Sequence, residues 1–376
     1  MDLLAGLWNY VVPFVVILTV LVFVHEFGHY LVARLFGVRV EVFSIGFGPE
    51  IFGRTDRAGT RWKFSMVPLG GYVKMFGETV VTGAAEDETG LSPEERAVSF
   101  QHKPLGQRTA IVCAGPLANF LFAIIVLTGL FSTFGQPFTP PLIGAVQPGS
   151  AAEAAGIRKG DVVLRIDGGA IERFEEIQGI VRESPGIPLD VVVLREGAEV
   201  RLAVTPEFKE ETDRLGNVRE IGLLGVYGGG RQFIRYGVPT ALWRATRETV
   251  SLTGMILKAV GQIIVGTRTA EELGGPLRIA QMSGEVAAGG LLPIFWFLAV
   301  LSINLGLVNL FPIPMLDGGH LLFYAAEVVR GKPLGPRAQE VGFGIGLALV
   351  VCLMLFVTWN DLVQLKVFEF LRGLVS

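Results

Sequence analysis

The chain carries little charge. Asp, Glu, Lys and Arg make up 18% of its 376 residues, and hydrophobic residues make up 51%. An ordinary soluble domain has about 25% charged residues, so part of this surface must face lipid. The composition argues against a cytosolic enzyme and against a disordered chain, which would be poor in apolar residues. The net charge of −3 gives no basic field for nucleic acid, and we expect no nucleic-acid partner.

Cysteine and histidine are scarce as well. The two cysteines, Cys113 and Cys352, fall in apolar runs, which favours buried thiols over a disulfide framework. There are four histidines: His25, His29, His102 and His320. A metal site with histidine ligands must therefore draw on these four.

Long charge-free runs occur four times, at 3–24, 109–152, 286–316 and 341–360. A helix needs about 20 apolar residues to cross a bilayer, so each run can supply a transmembrane helix. The first run lacks the basic start of a signal peptide, and we interpret it as a retained helix. Lys and Arg flank the ends of the first and third runs and the start of the second and fourth, which predicts that these ends are cytoplasmic.

The first run ends in His25-Glu26-Phe27-Gly28-His29. Histidines four apart share one helix face, so both imidazoles can bind one Zn²⁺ while Glu26 acts as general base toward water. The competing interpretation is a pair of interfacial histidines beside a snorkelling glutamate. Charged residues at this depth are costly and tend to be functional, which favours the zinc site.

A third ligand is needed, because a catalytic zinc ion takes three protein ligands and a water molecule. The first and third runs both end at the cytoplasmic level, so Asp317 can meet the two histidines. Pro312 and Pro314 cannot continue a regular helix, so we expect a break just before Asp317. His320 is the competing ligand. We rank it second, because Gly318 and Gly319, which separate it from Asp317, make a rigid pair of metal ligands less favourable. His102 lies in a polar segment and is expected to be solvated or to cap a helix.

Several motifs together resemble the site-2 protease family of intramembrane zinc metalloproteases, in particular the bacterial regulator-of-sigma-E protease type. They are HEFGH at 25–29, FSIGFGP at 43–49, PLGGYVKM at 68–75, AGPLANF at 114–120, SINLG at 302–306 and NLFPIPMLDGGH at 309–320. The resemblance implies that Glu26 is the catalytic base and that His25, His29 and Asp317 bind Zn²⁺. It also implies that Asn304 and Asn309 hold the substrate backbone. Interhelical hydrogen bonding is the alternative role for the two asparagines.

The segment at about 141–207 resembles the PDZ domains of bacterial proteases through its PGSAAEAAGIRKGDVVLRIDG motif at 148–168. Such domains bind a peptide end between a strand and a helix, and Leu142–Val146 is the candidate strand. We expect one copy, because the chain is too short here for a second. A folded spacer without a ligand is the alternative.

The expected fold is a polytopic α-helical membrane protein with about four transmembrane helices, a membrane-associated β element and one extracytoplasmic PDZ-like α+β domain. The predicted order is helix one at 1–36, a cytoplasmic-side loop with β-structure at 37–106, helix two at 107–134, the PDZ-like domain at 135–210, a linker and amphipathic helix region at 211–285, helix three at 286–320, a cytoplasmic loop at 321–340, helix four at 341–362 and an interfacial tail at 363–376. Residues 79–98 are expected to form an acidic surface loop.

The expected activity is hydrolysis of peptide bonds in or near the transmembrane segment of a single-pass membrane protein. By resemblance the substrate is an anti-sigma factor already trimmed by another protease, with remnant signal peptides second, and the location is the bacterial inner membrane with the active site near its cytoplasmic side. A silent scaffold presenting the PDZ-like domain is the alternative, although it would not need polar ligands in lipid. A metal transporter would need polar residues along several spans, and the second and fourth runs offer little beyond Asn119 and Thr358.

Overall fold

The computed structural model describes residues 2–78, 91–212, 218–230, 232–267, 269–270 and 274–364. Most of the predicted acidic loop at 79–98 and most of the predicted tail at 363–376 lie outside these ranges. The chain divides into two compact units, one formed by Met1–Leu130 with Pro239–Ser376 and the other by Phe131–Val238.

Long apolar helices dominate the first unit. They are α1 (Asp2–Leu35), α3 (Leu105–Thr133), α6 (Val238–Val265), α8 (Leu291–Asn309) and α10 (Pro336–Gln364). All five are long and apolar enough to cross a membrane, as expected for a helical membrane protein. The most apolar stretch of α6 has a mean hydropathy of 1.3, against 2.2 to 2.6 in the other four, which agrees with its mixed apolar and charged sequence.

The helices α1 and α3 approach each other closely at small residues. A Cβ atom added at Gly28 would overlap the Ala114 carbonyl and the Ala118 methyl group. Close backbone contact through small residues is typical of helix pairs in membranes. This contact brings the residues that follow Ala114 against the HEFGH motif.

The chain breaks between α8 and the next helix, α9 (Asp317–Arg330). Pro312 and Pro314 lie in this break, and Met315 adopts a positive φ of 91°, which is unusual for a residue with a side chain. Gly318 and Gly319 leave no room for a Cβ atom against the carbonyls of Leu310, Phe311 and Ile313. The tight turn therefore fixes where α9 begins, and Asp317 is its first residue. Elsewhere in this unit α2 (Pro93–Val98) precedes α3, and α7 (Pro276–Ala288) packs against α1.

A β-hairpin follows α1 and is formed by β1 (Val40–Thr55) and β2 (Arg61–Met75). The first half of β1 pairs with 71–75 and also lies beside 61–64, whereas its second half, from Glu50, pairs with 61–65. The hairpin therefore folds over on itself, and several register shifts between its two strands accompany this bend. As a result, the segment 71–75 forms one edge of a small sheet within the described part of the chain.

The second unit is built around a four-stranded antiparallel sheet, in the order β6 (Gly169–Ala170), β5 (Val162–Ile166), β7 (Leu189–Arg195) and β8 (Ala198–Val204). Its apolar core includes Phe174 and Ile177 of α5 (Phe174–Arg182) and Ala152 of α4 (Ala151–Ala154). Alternating buried residues in β7 place one sheet face against that core, as expected for a strand with one solvated face.

The remaining strands of this unit form three pairs. They are β9 (Glu207–Thr212) with β10 (Val218–Leu223), β4 (Ile143–Val146) with β11 (Val226–Gly228), and β3 (Gln136–Phe138) with β12 (Gln232–Ile234). The strands β10, β11 and β12, which lie in the segment expected to be a linker, therefore belong to the compact unit.

The strand predicted to border a peptide groove is paired along one side and, at Ile143, on the other side as well. On one side β4 pairs with β11. On the other side the N–H of Ile143 donates to the Asp161 carbonyl at 2.8 Å, and the Ile143 carbonyl accepts from Gly160 at 2.8 Å. Both backbone groups of Ile143 are therefore engaged within the unit, and an added peptide strand would need unpaired backbone groups elsewhere.

Candidate metal centre

Two histidines of α1 and one aspartate of α9 point to a common centre. The Nε2 atoms of His25 and His29 lie 3.3 Å apart, and Oδ2 of Asp317 lies 3.1 Å from the first and 3.5 Å from the second. The ligand atoms all fall within 4.8 Å of one another. Within the described ranges, this is the one cluster of three or more such side chains close enough to hold a metal ion.

The ring orientation of His29 is fixed by the neighbouring helix. Its Nδ1 lies 2.9 Å from the carbonyl oxygen of Ile111 in α3. A carbonyl only accepts hydrogen bonds, so Nδ1 carries the proton and Nε2 keeps its lone pair toward the centre. Histidines that bind metals usually have such a partner on the other ring nitrogen. Nδ1 of His25 similarly contacts α3, at 3.0 Å from the side-chain amide of Asn119.

The donor set fits Zn²⁺. Two imidazole nitrogens and one carboxylate oxygen are ligands that zinc accepts in catalytic sites, with a further position left for water. Oδ2 of Asp317 is buried and lies beside Nε2 of both histidines. Burying an anionic oxygen is costly, and a cation held between it and the two histidines would compensate that charge.

A cavity of about 250 Å³ opens beside the three ligand atoms. Its wall includes Glu26, the edge segment of β2 through Tyr72, Val73 and Met75, and Asn309 from the end of α8. The backbone of Val73 faces the Glu26 carboxylate. The glutamate, the three ligands and a strand edge therefore line one cavity.

The other predicted residues are distributed unevenly around this cavity. Asn309 lines it, but Asn304, further back in α8, is not among its lining residues. His320 lines the wall with its ring centroid 5.3 Å from that of Phe343, outside the three-residue cluster. His102 lies elsewhere, with Nδ1 3.0 Å from the Ser99 hydroxyl.

Sequence reasoning missed two neighbours of the site. Glu78 lines the cavity, and its carboxylate accepts a hydrogen bond from the N–H of Met75 at 3.2 Å. Burial raises the pKa of Glu78 to about 7. Asn119 is the other, and its position as an isolated amide in an apolar run was the available signal.

Comparison with known proteins identifies the family. The model of peptidase family M50 matches residues 13–353. The chain belongs to peptidase family M50. The assignment to the site-2 protease type and the expectation of a zinc-dependent peptidase are thereby confirmed.

Several bacterial relatives match this peptidase along nearly their whole length. A predicted zinc metalloprotease of Agrobacterium fabrum is 44% identical over 366 residues, covering 96% of this chain and 97% of the relative. One of Rhizobium meliloti is 45% identical, covering 96% and 99%. The metalloprotease MmpA of Caulobacter vibrioides is 37% identical, covering 96% and 97%.

Proposed function

We propose that this peptidase hydrolyses peptide bonds in or near the transmembrane segment of single-pass membrane proteins. The observation that carries the proposal is the convergence of His25, His29 and Asp317 beside Glu26, where an apolar helix long enough to span a membrane approaches its C-terminal end. A peptidase site at such a position acts on bonds at membrane depth.

His25, His29 and Asp317 would hold the zinc ion, and Glu26 would move protons. A bound Zn²⁺ polarises the substrate carbonyl and makes water a stronger nucleophile at neutral pH. A carboxylate oxygen of Glu26 accepts the proton of the attacking water and then delivers it to the leaving amine nitrogen. The carboxylate lines the cavity beside the three metal ligands, next to Val73.

The edge segment 71–75 of β2 supports binding of an extended substrate. Tyr72 and Val73 line the cavity, and the other edge of this segment is already paired with β1. An extended peptide can add to the edge of a strand through backbone hydrogen bonds. A helical substrate must unwind first, because its carbonyls are engaged within the helix, and Asn309 is placed to bind a released backbone group.

We also propose a bacterial inner-membrane location, with the active site near the cytoplasmic side and an anti-sigma factor or remnant signal peptide as substrate. Support comes from the Lys and Arg residues near the helix ends and from the resemblance to regulator-of-sigma-E proteases. The second unit is proposed to be an extracytoplasmic PDZ-like domain that binds a peptide end.

Glu26→Gln tests the mechanism. The full-length protein, purified in detergent, is assayed with a labelled transmembrane peptide, and its zinc content is measured. The amide cannot accept the proton, so we expect cleavage to fall by at least about 100-fold while zinc content is unchanged. Glu199→Gln, an exposed change in the second unit, should match the wild type. Undiminished cleavage by Glu26→Gln would overturn the proposal.

Metal analysis of Asp317→Ala and His320→Ala tests the third ligand. Removing the only anionic donor of the cluster should abolish stoichiometric zinc, whereas His320→Ala should retain it because His320 lies outside the cluster. The opposite pattern would make His320 the ligand and reject Asp317.

A further inference from the structure

Asn119 is a buried polar residue within an apolar helix. It lies in α3 with 0% of its surface exposed, and its amide Nδ2 is 3.0 Å from Nδ1 of His25. Its Oδ1 atom is buried and has no hydrogen-bond partner among the described residues. Such an amide is costly unless paired, so its place beside a metal-binding histidine calls for a physical reason.

The backbone of Asn119 is held firmly against α8. The hydroxyl of Ser302 donates to the Asn119 carbonyl oxygen at 2.8 Å. A Cβ atom at Gly306 would lie 3.2 Å from the Asn119 Cβ and 3.0 Å from the Pro116 carbonyl oxygen. The packing of α3 against α8 thus fixes where the side-chain amide lies beside His25. The motion that matters here is a half-turn of the amide group, which exchanges its oxygen and nitrogen.

Zinc binding through Nε2 requires the proton of His25 to sit on Nδ1. A protonated Nδ1 needs an acceptor, and the amide oxygen of Asn119 is the acceptor within reach after the half-turn. Coordinates of amide oxygen and nitrogen are interchangeable assignments. The opposite orientation of the amide would donate from Nδ2 to Nδ1 and place the proton on Nε2, which lies 3.1 Å from Asp317 Oδ2.

We propose that Asn119 is a positioning residue that selects the zinc-binding tautomer of His25. Its amide oxygen accepts the Nδ1–H hydrogen bond when zinc is bound, and its NH₂ group donates to Nδ1 when the site is empty. The Ile111 carbonyl accepts from Nδ1 of His29 in the same way. A carbonyl can only accept, whereas the amide of Asn119 can hydrogen-bond to either tautomer of His25. This inference rests on the proposed zinc site.

Asn119→Leu and Asn119→Asp test the role. Leucine has nearly the same shape but no acceptor, whereas a carboxylate accepts from Nδ1–H. We expect Asn119→Leu to bind zinc 10- to 100-fold more weakly, as is typical when a histidine ligand loses its partner. Asn119→Asp should bind zinc at least as tightly as the wild type. Affinity is measured on the full-length protein by competition with a chromogenic chelator, with Asn360→Leu, at another buried helical asparagine, as the matched control.

Nitrogen NMR provides a readout that does not depend on activity. The chain has four histidines, so ¹⁵N-histidine labelling gives few signals. In the wild type, the His25 proton should be on Nε2 without zinc and on Nδ1 with zinc, and Asn119→Asp should favour Nδ1 in both states. If the wild-type tautomer does not change, the proposal fails even where Asn119→Leu does not fold.

The outcomes separate this inference from the proposed function. Wild-type protein that binds no zinc rejects the zinc site itself. Wild-type protein that binds zinc while Asn119→Leu binds it equally well rejects only the role of Asn119. At saturating zinc, Asn119→Leu should recover cleavage, which a residue acting directly on the substrate would not allow.

Discussion

At the scale of single residues, Gly115 determines how closely α3 can approach the metal ligands. A Cβ atom here would overlap the imidazole ring of His29 at Nε2, Cε1 and Cδ2. Because Nε2 is the atom that points to the metal centre, even a methyl group at position 115 would displace a ligand atom.

Gly115→Ala should therefore lower zinc affinity by at least about tenfold, since overpacking of this kind typically costs 1–3 kcal/mol. Gly129→Ala is the control, because a Cβ atom at this position of the same helix meets nothing within 4 Å. The control should leave zinc binding unchanged and, by helix propensity, tend to stabilise α3. Chelator competition on both variants measures the difference, and equal affinities would contradict the steric argument.

The residues that sequence predicted at the site are those with local signals. His25 and His29 follow from helical spacing, and Asp317 from hydropathy and the charge at the span ends. Asn119 and Glu78 could not be ranked in this way, because their importance arises from contacts with residues distant in the chain. Which residue of α3 faces His25 depends on how Gly28 packs against Ala114.

At the scale of elements, α10 is joined to the start of α7 by one carboxylate. Asp361 is 1% exposed; its Oδ1 accepts from the N–H of Gly275 at 2.9 Å, and its Oδ2 accepts from the N–H groups of Leu277 and Arg278 at 3.1 Å. Free N–H groups at a helix start need such partners.

Asp361→Ala should loosen the first turn of α7 by about 1–2 kcal/mol, the usual cost of losing a helix cap. Hydrogen exchange at Gly275, Leu277 and Arg278 in the full-length protein measures this. Glu285→Gln, an exposed change on α7, is expected to leave those rates as in the wild type. If Asp361→Ala also leaves these amides equally protected, the carboxylate does not stabilise the helix start.

In the second unit, two Asp–Arg pairs differ in burial. Arg195 contacts Asp161 through Nε at 2.8 Å and through a terminal nitrogen at 2.7 Å, and Asp161 is 1% exposed. Burial alone would raise the pKa of Asp161, but hydrogen bonds from Arg195 and from the Arg158 N–H outweigh it and hold the pKa below its usual value. The Asp190–Arg201 pair is much more exposed.

Asp161→Asn should destabilise this unit by about 2 kcal/mol, whereas Asp190→Asn should have little effect. Because the folded-state pKa of Asp161 is lowered, its contribution is present above the unfolded value and is lost as pH falls through the folded value. Wild type should therefore lose stability on acidification through this range, with a smaller loss in Asp161→Asn. Hydrogen exchange of β5 and β7, corrected for intrinsic exchange rates, measures both the loss of stability and its dependence on pH. Equal destabilisation by Asp161→Asn and Asp190→Asn would contradict the burial argument.

The strands show where sequence patterns were insufficient. The sequence predicted β-structure within 37–106, and β1 and β2 lie there. Their folded-over register depends on several shifts that no local pattern specifies. The pairing of β4 with β11, about 80 residues later in the chain, was missed for a related reason, because sequence periodicity does not reveal long-range partners.

At the scale of the whole molecule, helix directions limit how often the chain crosses the bilayer. Ile17 and Leu21 of α1 belong to the same cluster as Phe297 and Leu298 of α8, and the later parts of both helices lead to the metal centre, so α1 and α8 run in the same direction. The contact of Asn119 with His25, and of Gly115 with His29, makes α3 antiparallel to α1.

If α1, α3 and α8 each cross the bilayer, α3 ends and α8 begins on the same side of it. If α6 crossed, α7 would have to cross back. Its 13 residues extend about 20 Å at 1.5 Å per residue, less than the hydrocarbon thickness of about 30 Å. We therefore expect four crossings, with α6 lying along the interface.

Cysteine labelling in spheroplasts can count these crossings. In a background lacking Cys113 and Cys352, Arg247→Cys near the start of α6 and Thr267→Cys after its end should both react with an impermeant maleimide. Glu94→Cys, in α2 between α1 and α3, should react only after permeabilisation. Labelling of Thr267→Cys only after permeabilisation would instead indicate a fifth crossing.

The two halves of the metal centre lie far apart in synthesis order. His25, Glu26 and His29 are made first, whereas Asp317 is made 288 residues after His29 and reaches them only once α8 packs beside α1. A partly synthesised chain that ends before Asp317 therefore lacks the third metal ligand. We expect peptidase activity to arise only after α8 has joined the helix bundle.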